Sequence, residues 1–215
     1  MSSAPTSLQQ KMQGTEVEQK ILKRSIYCTL FVALAGIVFG VACGSISIVF
    51  DGMFSALDAG MCSLSLLVSR LLGQPSSRRF QYGFWHVEPL VLAFNGSLLV
   101  LLCVYAFINA VKSMAEGGNE LELGWAIVYA VCVSTFCFTL YFKQLRLNKK
   151  VKSELIALDT KSWLMSACIS SALLMAFSLS WLMEGTRYEY LNVYTDPFVL
   201  AVLTLVLIPM PIKTV

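Results

Sequence analysis

Four aspartates, Asp51, Asp58, Asp159 and Asp196, stand within or at the mouth of stretches that are otherwise apolar. A carboxylate at the centre of a bilayer costs about 2.5 kcal/mol or more, so each needs a reason. Asp51 and Asp58 share the run SIVFDGMFSALDAGM. Seven residues make nearly two helical turns, so both lie on one face, about 10 Å apart along the axis, with Ser55 between them. Asp58 falls near the middle of its run, whereas Asp51 is nearer an end and can reach water. Asp159 lies in SELIALDTKSWLMS, near Glu154 and Lys161, so a wet helix entrance is the plain reading. Positions 159 and 161 face different directions, however, and do not form a pair. Asp196 precedes Pro197, the arrangement of an N-cap followed by the first helical position, which makes its role structural. If the segments bearing Asp58 and Asp159 pack together, two carboxylates in low dielectric repel and hold either a cation or shared protons. That competition is the chemistry of exchanging a metal ion against protons.

The elements that must position these groups are membrane helices. Of 215 residues, 57% are hydrophobic and 13% charged, and the mean hydropathy is +0.70. A soluble domain carries roughly a quarter charged residues, and one of this size must cover itself with polar surface. Crossing hydrocarbon takes roughly 20 apolar residues in a helix. Six stretches qualify, near 25–47, 49–72, 87–112, 123–142, 155–183 and 196–212. The first two are separated only by a turn near Gly44–Ser47. The expected fold is an all-α membrane protein of six transmembrane helices over residues 21–215. Residues 1–20 are polar, lack the marks of a signal peptide and are expected to be a disordered cytoplasmic segment.

Basic residues set the orientation. With the N-terminus in the cytoplasm, the inner segments hold thirteen of the sixteen Lys and Arg residues. The outer segments hold Lys112 and Arg187 among the acids Glu116, Glu120, Glu122, Glu184 and Glu189. Both termini are therefore expected inside. Gly36, Gly40 and Gly44 recur every four residues, giving the first helix a flat strip for close packing. The seven cysteines lie in apolar runs without a CxxC pair and read as small packing residues. The net charge of +3 argues against nucleic-acid binding. His86 is the sole histidine, and no HExxH, Ser–His–Asp grouping or glycine-rich phosphate loop is present, so no enzyme is expected.

At these residues the chain resembles the cation diffusion facilitator (cation efflux) family. The resemblance covers about residues 20–215, through GSISIVFDGMFSALDAG, FQYGFWHVEPL, SELIALDTKSWLMSACISS and TDPFVLAVL. Phe80, Gly83 and Glu88 match the family's opening of helix three, Asn95 follows, and Asp196 matches the aspartate at the start of helix six. The resemblance implies a metal/proton antiporter with a six-helix transmembrane domain, usually homodimeric, with a cytoplasmic ferredoxin-like domain after it. That last domain is expected to be absent, since the chain stops at Val215. The family's site takes two ligands at i, i+4 spacing from helix two and two from helix five. Asp58 and Asp159 each match one ligand, while Phe54 and Trp163 stand at the other two positions.

Two carboxylates, with Asp51, Ser55 or water, make an oxygen-rich metal site. Zinc prefers nitrogen or sulfur ligands, whereas magnesium or manganese suits hard oxygens. The expected function is export of a divalent metal cation from the cytoplasm, in exchange for protons, through Asp58, Asp159, Asp51 and Ser55. No resident cofactor is expected. The expected partners are membrane lipid, the transported cation, protons and a second copy of the chain, in a cell (inner) membrane. The alternative is a non-transporting scaffold or regulatory homologue whose cation site Phe54 and Trp163 plug.

Overall fold

The computed structural model describes residues 7–72, 87–119, 121–151, 153–185 and 189–209. Phe80, Gly83 and His86 lie outside them. The described residues form six helices: α1 (Ser7–Cys43), α2 (Ile46–Leu72), α3 (Val87–Ala115), α4 (Leu123–Val151), α5 (Glu154–Met183) and α6 (Asn192–Leu207). A single 3-10 turn, Glu189–Leu191, leads into α6. Five helices contain windows long and apolar enough to cross a membrane. At 16 residues α6 is shorter, with a length of about 24 Å against a hydrocarbon core of about 30 Å.

The outer surface is what lipid requires. Phe31, Leu34, Val38, Val104, Tyr105, Leu179 and Leu182 are all exposed. Polar side chains such as Ser25, Ser47, Asp51, Gln144 and Asp196 are buried instead. A helix apolar all round fits surroundings as apolar as its own core. The protein is an integral membrane protein built as a six-helix bundle.

The most extensive packing joins α1 with α2, α4 with α5, and α3 with α6. Two helices reach across these pairs. α2 touches α1, α3, α5 and α6, and α5 touches α1, α2, α4 and α6. The helices bearing Asp58 and Asp159 are thus central and meet each other. Ile48, Leu173, Phe177 and Leu200, all fully buried, fill the space around them.

Local chemistry explains the joints. Gly44, at φ 71°, ends α1, and the Ser45 N–H turns back to the Gly40 carbonyl. The glycine strip divides by task. A Cβ on Gly36 would sit 2.7 Å from the Cα of Gly52, and one on Gly40 would sit 2.6 Å from Val49. Gly36 and Gly40 therefore let α1 and α2 touch along their backbones, while Gly44 makes the turn. α5 starts at Ser153, whose hydroxyl accepts from the Ile156 N–H at 3.3 Å.

Three sequence expectations are corrected. α1 begins at Ser7, so helix runs back through most of the segment expected to be disordered. Asp51 does not reach water, being 1% exposed. Asp196 is not the cap of its own helix. α6 begins four residues earlier, at Asn192, and Leu191 caps it without a side-chain bond. Asp196 instead caps α2 from across the bundle. Its Oδ1 accepts from the Ser45 hydroxyl at 2.6 Å, and its Oδ2 accepts from the Ile46 N–H at 2.8 Å. The Ser47 N–H lies 3.3 and 3.4 Å from the two oxygens, and the Ser47 hydroxyl donates to the Asp196 carbonyl at 2.8 Å. Ser45 accepts from the Ile48 N–H at 3.1 Å. The first N–H groups of α2 are thereby satisfied, with a negative charge at the positive end of the helix.

Pro197 then sits inside α6, where its missing N–H frees the Val193 carbonyl. The Asn119 N–H takes that carbonyl at 2.9 Å, which ties the α3–α4 connection to α6.

Candidate cation site

α2 and α5 run antiparallel, and two side-chain bonds join them. The Ser162 hydroxyl on α5 donates to Asp58 Oδ1 on α2 at 3.0 Å. The Cys62 thiol on α2 faces Asp159 Oδ1 on α5 at 3.8 Å. Each aspartate is thus bonded to the helix that carries the other. Cys62 follows Asp58 by four residues and Ser162 follows Asp159 by three, so each helix presents one continuous polar face to the seam.

The two carboxylates differ in surroundings. Asp159 is 6% exposed, and its second oxygen accepts from the Gln144 amide on α4. Gln144 also donates to the Ser25 hydroxyl on α1 at 3.1 Å. The same hydroxyl accepts from the Trp163 indole N–H at 2.7 Å. Asp159 therefore sits in a network reaching α1, α2 and α4. Asp58 is half-buried, with Ser162 as its one side-chain partner among the described residues. The seam is thus closed around Asp159 and more open at Asp58.

Among the described residues, no basic side chain neutralises these acids. Among the described residues the one salt bridge joins exposed Lys112 and Glu116 at 3.7 Å. Asp51, Asp58, Asp159 and Asp196 all lack a basic partner there. Asp196 satisfies its oxygens at the α2 N-terminus, and Asp159 does so in the network. Both oxygens of Asp51 have no hydrogen-bond partner among the described residues.

The seam sets Asp58 and Asp159 on facing helices, each bonded to the helix that carries the other. Asp51 lies two turns farther along α2, and both it and Ser55 are buried without a hydrogen bond. Phe54 packs against the core and pairs with Phe50, ring centres 6.3 Å apart. The Trp163 indole spends its N–H on α1 and meets Phe136 of α4 edge-on at 6.4 Å.

Sequence reasoning missed Cys62, Ser162, Gln144 and Ser25. Cys62 and Ser162 were within reach, since i+4 from Asp58 and i+3 from Asp159 are same-face positions. Cys62 is accordingly not merely a packing residue. Ser25, midway along α1, and Gln144, in the last third of α4, sit beside basic residues, and nothing in their spacing marks them.

Chemically the seam offers two carboxylates, a thiol and a hydroxyl. Among the described residues, no three His, Cys, Asp or Glu side chains gather closely enough to form a metal cage unaided. A cation here would complete its shell with water, as hard cations do.

Known proteins share this arrangement of segments. The family described as the cation efflux transmembrane domain matches residues 22–213, which takes in the helices from the middle of α1 onward. A probable cation efflux system protein of Mycobacterium tuberculosis is 26% identical over 123 residues, covering 57% of this chain and 37% of that protein. The manganese efflux system protein MneP of Bacillus subtilis is 22% identical over 142 residues, covering 66% and 47%. The chain thus aligns with less than half the length of these curated relatives. With the match spanning both acid-bearing central helices, the chain belongs to the cation efflux family.

Proposed function

We propose that the chain is a secondary carrier, not an enzyme, which exports a divalent cation from the cytoplasm in exchange for protons. The cation binds between α2 and α5, at Asp58 and Asp159. The observation that carries this reading is a carboxylate on each of the two central helices, tied across one seam, with no basic partner among the described residues. An uncompensated buried acid is expensive, and a cation or a proton is what relieves it. Oxygen donors with water favour manganese or magnesium over zinc. A relative whose name specifies manganese efflux is in keeping with that choice.

Cytoplasmic cation enters at the half-buried Asp58 and is shared with Asp159. Rocking of the helix pairs against one another then exposes the seam to the other side, where protons displace the cation. The distribution of lysines and arginines supports a carrier with both termini in the cytoplasm, set in the inner membrane of a bacterial cell, with a homodimer as the working unit. Manganese uptake into proteoliposomes tests the site. Asp58→Ala should abolish uptake while leaving the folded protein intact, and unchanged uptake would remove Asp58 from the mechanism.

A further inference from the structure

The seam does not account for Asp51. It is 1% exposed, neither carboxylate oxygen has a hydrogen-bond partner among the described residues, and it lies about 10 Å along α2 from Asp58. It has company of the same kind. Ser55, one turn on, is 1% exposed with an unpartnered hydroxyl. Tyr129 of α4 is 4% exposed, and its phenol oxygen is likewise unpartnered. That oxygen lies 2.8 Å from where a Cβ on Gly36 would stand, at the backbone contact between Gly36 and Gly52, the neighbour of Asp51. Asp51 is within electrostatic reach of the Tyr129 hydroxyl and the Cys137 thiol. On α5 a further unpartnered hydroxyl, Ser170, is 1% exposed. Continuing the antiparallel register from the 58–162 and 62–159 pairs brings Ser170 level with Asp51.

Buried hydroxyls normally find a partner, because leaving one unmade costs about 1–3 kcal/mol. Here orphaned hydroxyls on α2 and α4 accompany one orphaned carboxylate. Ser55 and Tyr129 do not bond to Asp51 or to anything else among the described residues, so their oxygens and the carboxylate are all left to bind a common guest. A protonated Asp51 would answer the charge but would still lack an acceptor for its proton. The donors proposed, Asp51, Ser55 and Tyr129, are oxygens, which suit a hard cation better than the neighbouring Cys137 thiol does. One carboxylate among neutral hydroxyls balances a single positive charge, and a divalent ion would leave one charge uncompensated in low dielectric.

We propose that Asp51, Ser55 and Tyr129 form a second cation station, separate from the seam and built for a monovalent ion of the sodium kind. The station rests on the reading that the chain carries ions, but not on where the divalent ion binds. It gives the carrier a place for a second ion on the same helix as Asp58, beside the proton exchange proposed at the seam.

The test is equilibrium binding of radiolabelled sodium to the full chain in lipid nanodiscs, with choline as the replacement cation. Wild type should show saturable binding. Asp51→Asn should lose at least about tenfold in affinity, and Tyr129→Phe and Ser55→Ala about fivefold each, as expected for one lost oxygen ligand. Asp58→Asn should bind sodium as wild type does, whatever it does to manganese. Asp51→Asn should also fold at least as well as wild type, because it removes an unpaired buried charge. Absence of saturable sodium binding would overturn the proposal, as would binding that Asp51→Asn leaves intact. A carboxylic-acid band in infrared difference spectra, lost in Asp51→Asn and insensitive to sodium, would show a proton there instead and overturn it equally. Loss of manganese binding in Asp58→Asn is a separate readout, so the seam and the station can fail independently.

Discussion

Replacing Asp196 by alanine should destabilise the bundle at a helix other than its own: the N-terminus of α2, which Asp196 reaches from α6. The carboxylate takes the Ser45 hydroxyl and the Ile46 and Ser47 N–H groups, and it is fully buried. Alanine strands these donors. An N-cap lost to alanine costs about 0.5–2 kcal/mol. Each buried donor left unsatisfied costs about 1–3 kcal/mol, with hydrogen bonds to charged groups at the upper end. Interhelical bonds in membrane proteins average only about 0.6 kcal/mol, because the unfolded chain finds partners in the bilayer too. Ser45 can also turn its hydroxyl elsewhere. Weighing these, Asp196→Ala should lose about 3–4 kcal/mol, with the stranded backbone amides as the main part. Asp196→Asn keeps one acceptor oxygen and should lose about half of that. Steric-trapping or denaturant titration in bicelles measures the loss. Hydrogen exchange should show the Ile46 and Ser47 amides newly exposed in the alanine variant. Manganese affinity per folded molecule should be unchanged. A loss below about 1 kcal/mol, or amides as protected as in wild type, would refute the capping account. Wild-type stability with abolished manganese binding would make Asp196 a ligand instead.

Other outcomes follow from contacts already described. Gly36→Ala must displace the backbone of α2 and the Tyr129 hydroxyl and should cost about 1–3 kcal/mol in bicelle unfolding, whereas Gly60→Ala meets nothing within 4 Å and should be neutral or slightly stabilising. Trp163→Phe keeps the ring against Phe136 but leaves Ser25 without its 2.7 Å donor, so a loss of about 1 kcal/mol in the same assay is expected, with cation binding retained. Gly118→Ala should cost more than a surface change, about 2 kcal/mol in thermal or denaturant unfolding, because φ is +87° and a Cβ would press on the Val193 carbonyl.

Much of this architecture was legible from residue order. The apolar runs gave six helices because hydrocarbon admits no open backbone, so length and hydropathy suffice. Asp58 and Asp159 stood out because a carboxylate in such a run is expensive. What escaped depends on which helices touch. Asp196 beside Pro197 carries a local signal for capping α6, and only the packing of α6 on α2 shows that it caps a different helix. Gly36 and Gly40 announced a close approach, but their partners Gly52 and Val49 are fixed by the register of α1 on α2. Trp163, at a position where the resembling family places a ligand, turns to Ser25 of α1 and Phe136 of α4. The Gln144 bond to Asp159 joins residues on different helices and has no counterpart in spacing.

The central claim is that the acids of α2 and α5 serve a cation held between them. Its most direct measurement is anomalous scattering from a crystal of the full chain soaked in manganese. A peak within coordination distance of both Asp58 and Asp159, lost in Asp58→Asn, is the predicted result. A well-ordered bundle with no peak at that seam under saturating manganese, or with its manganese elsewhere, would contradict it.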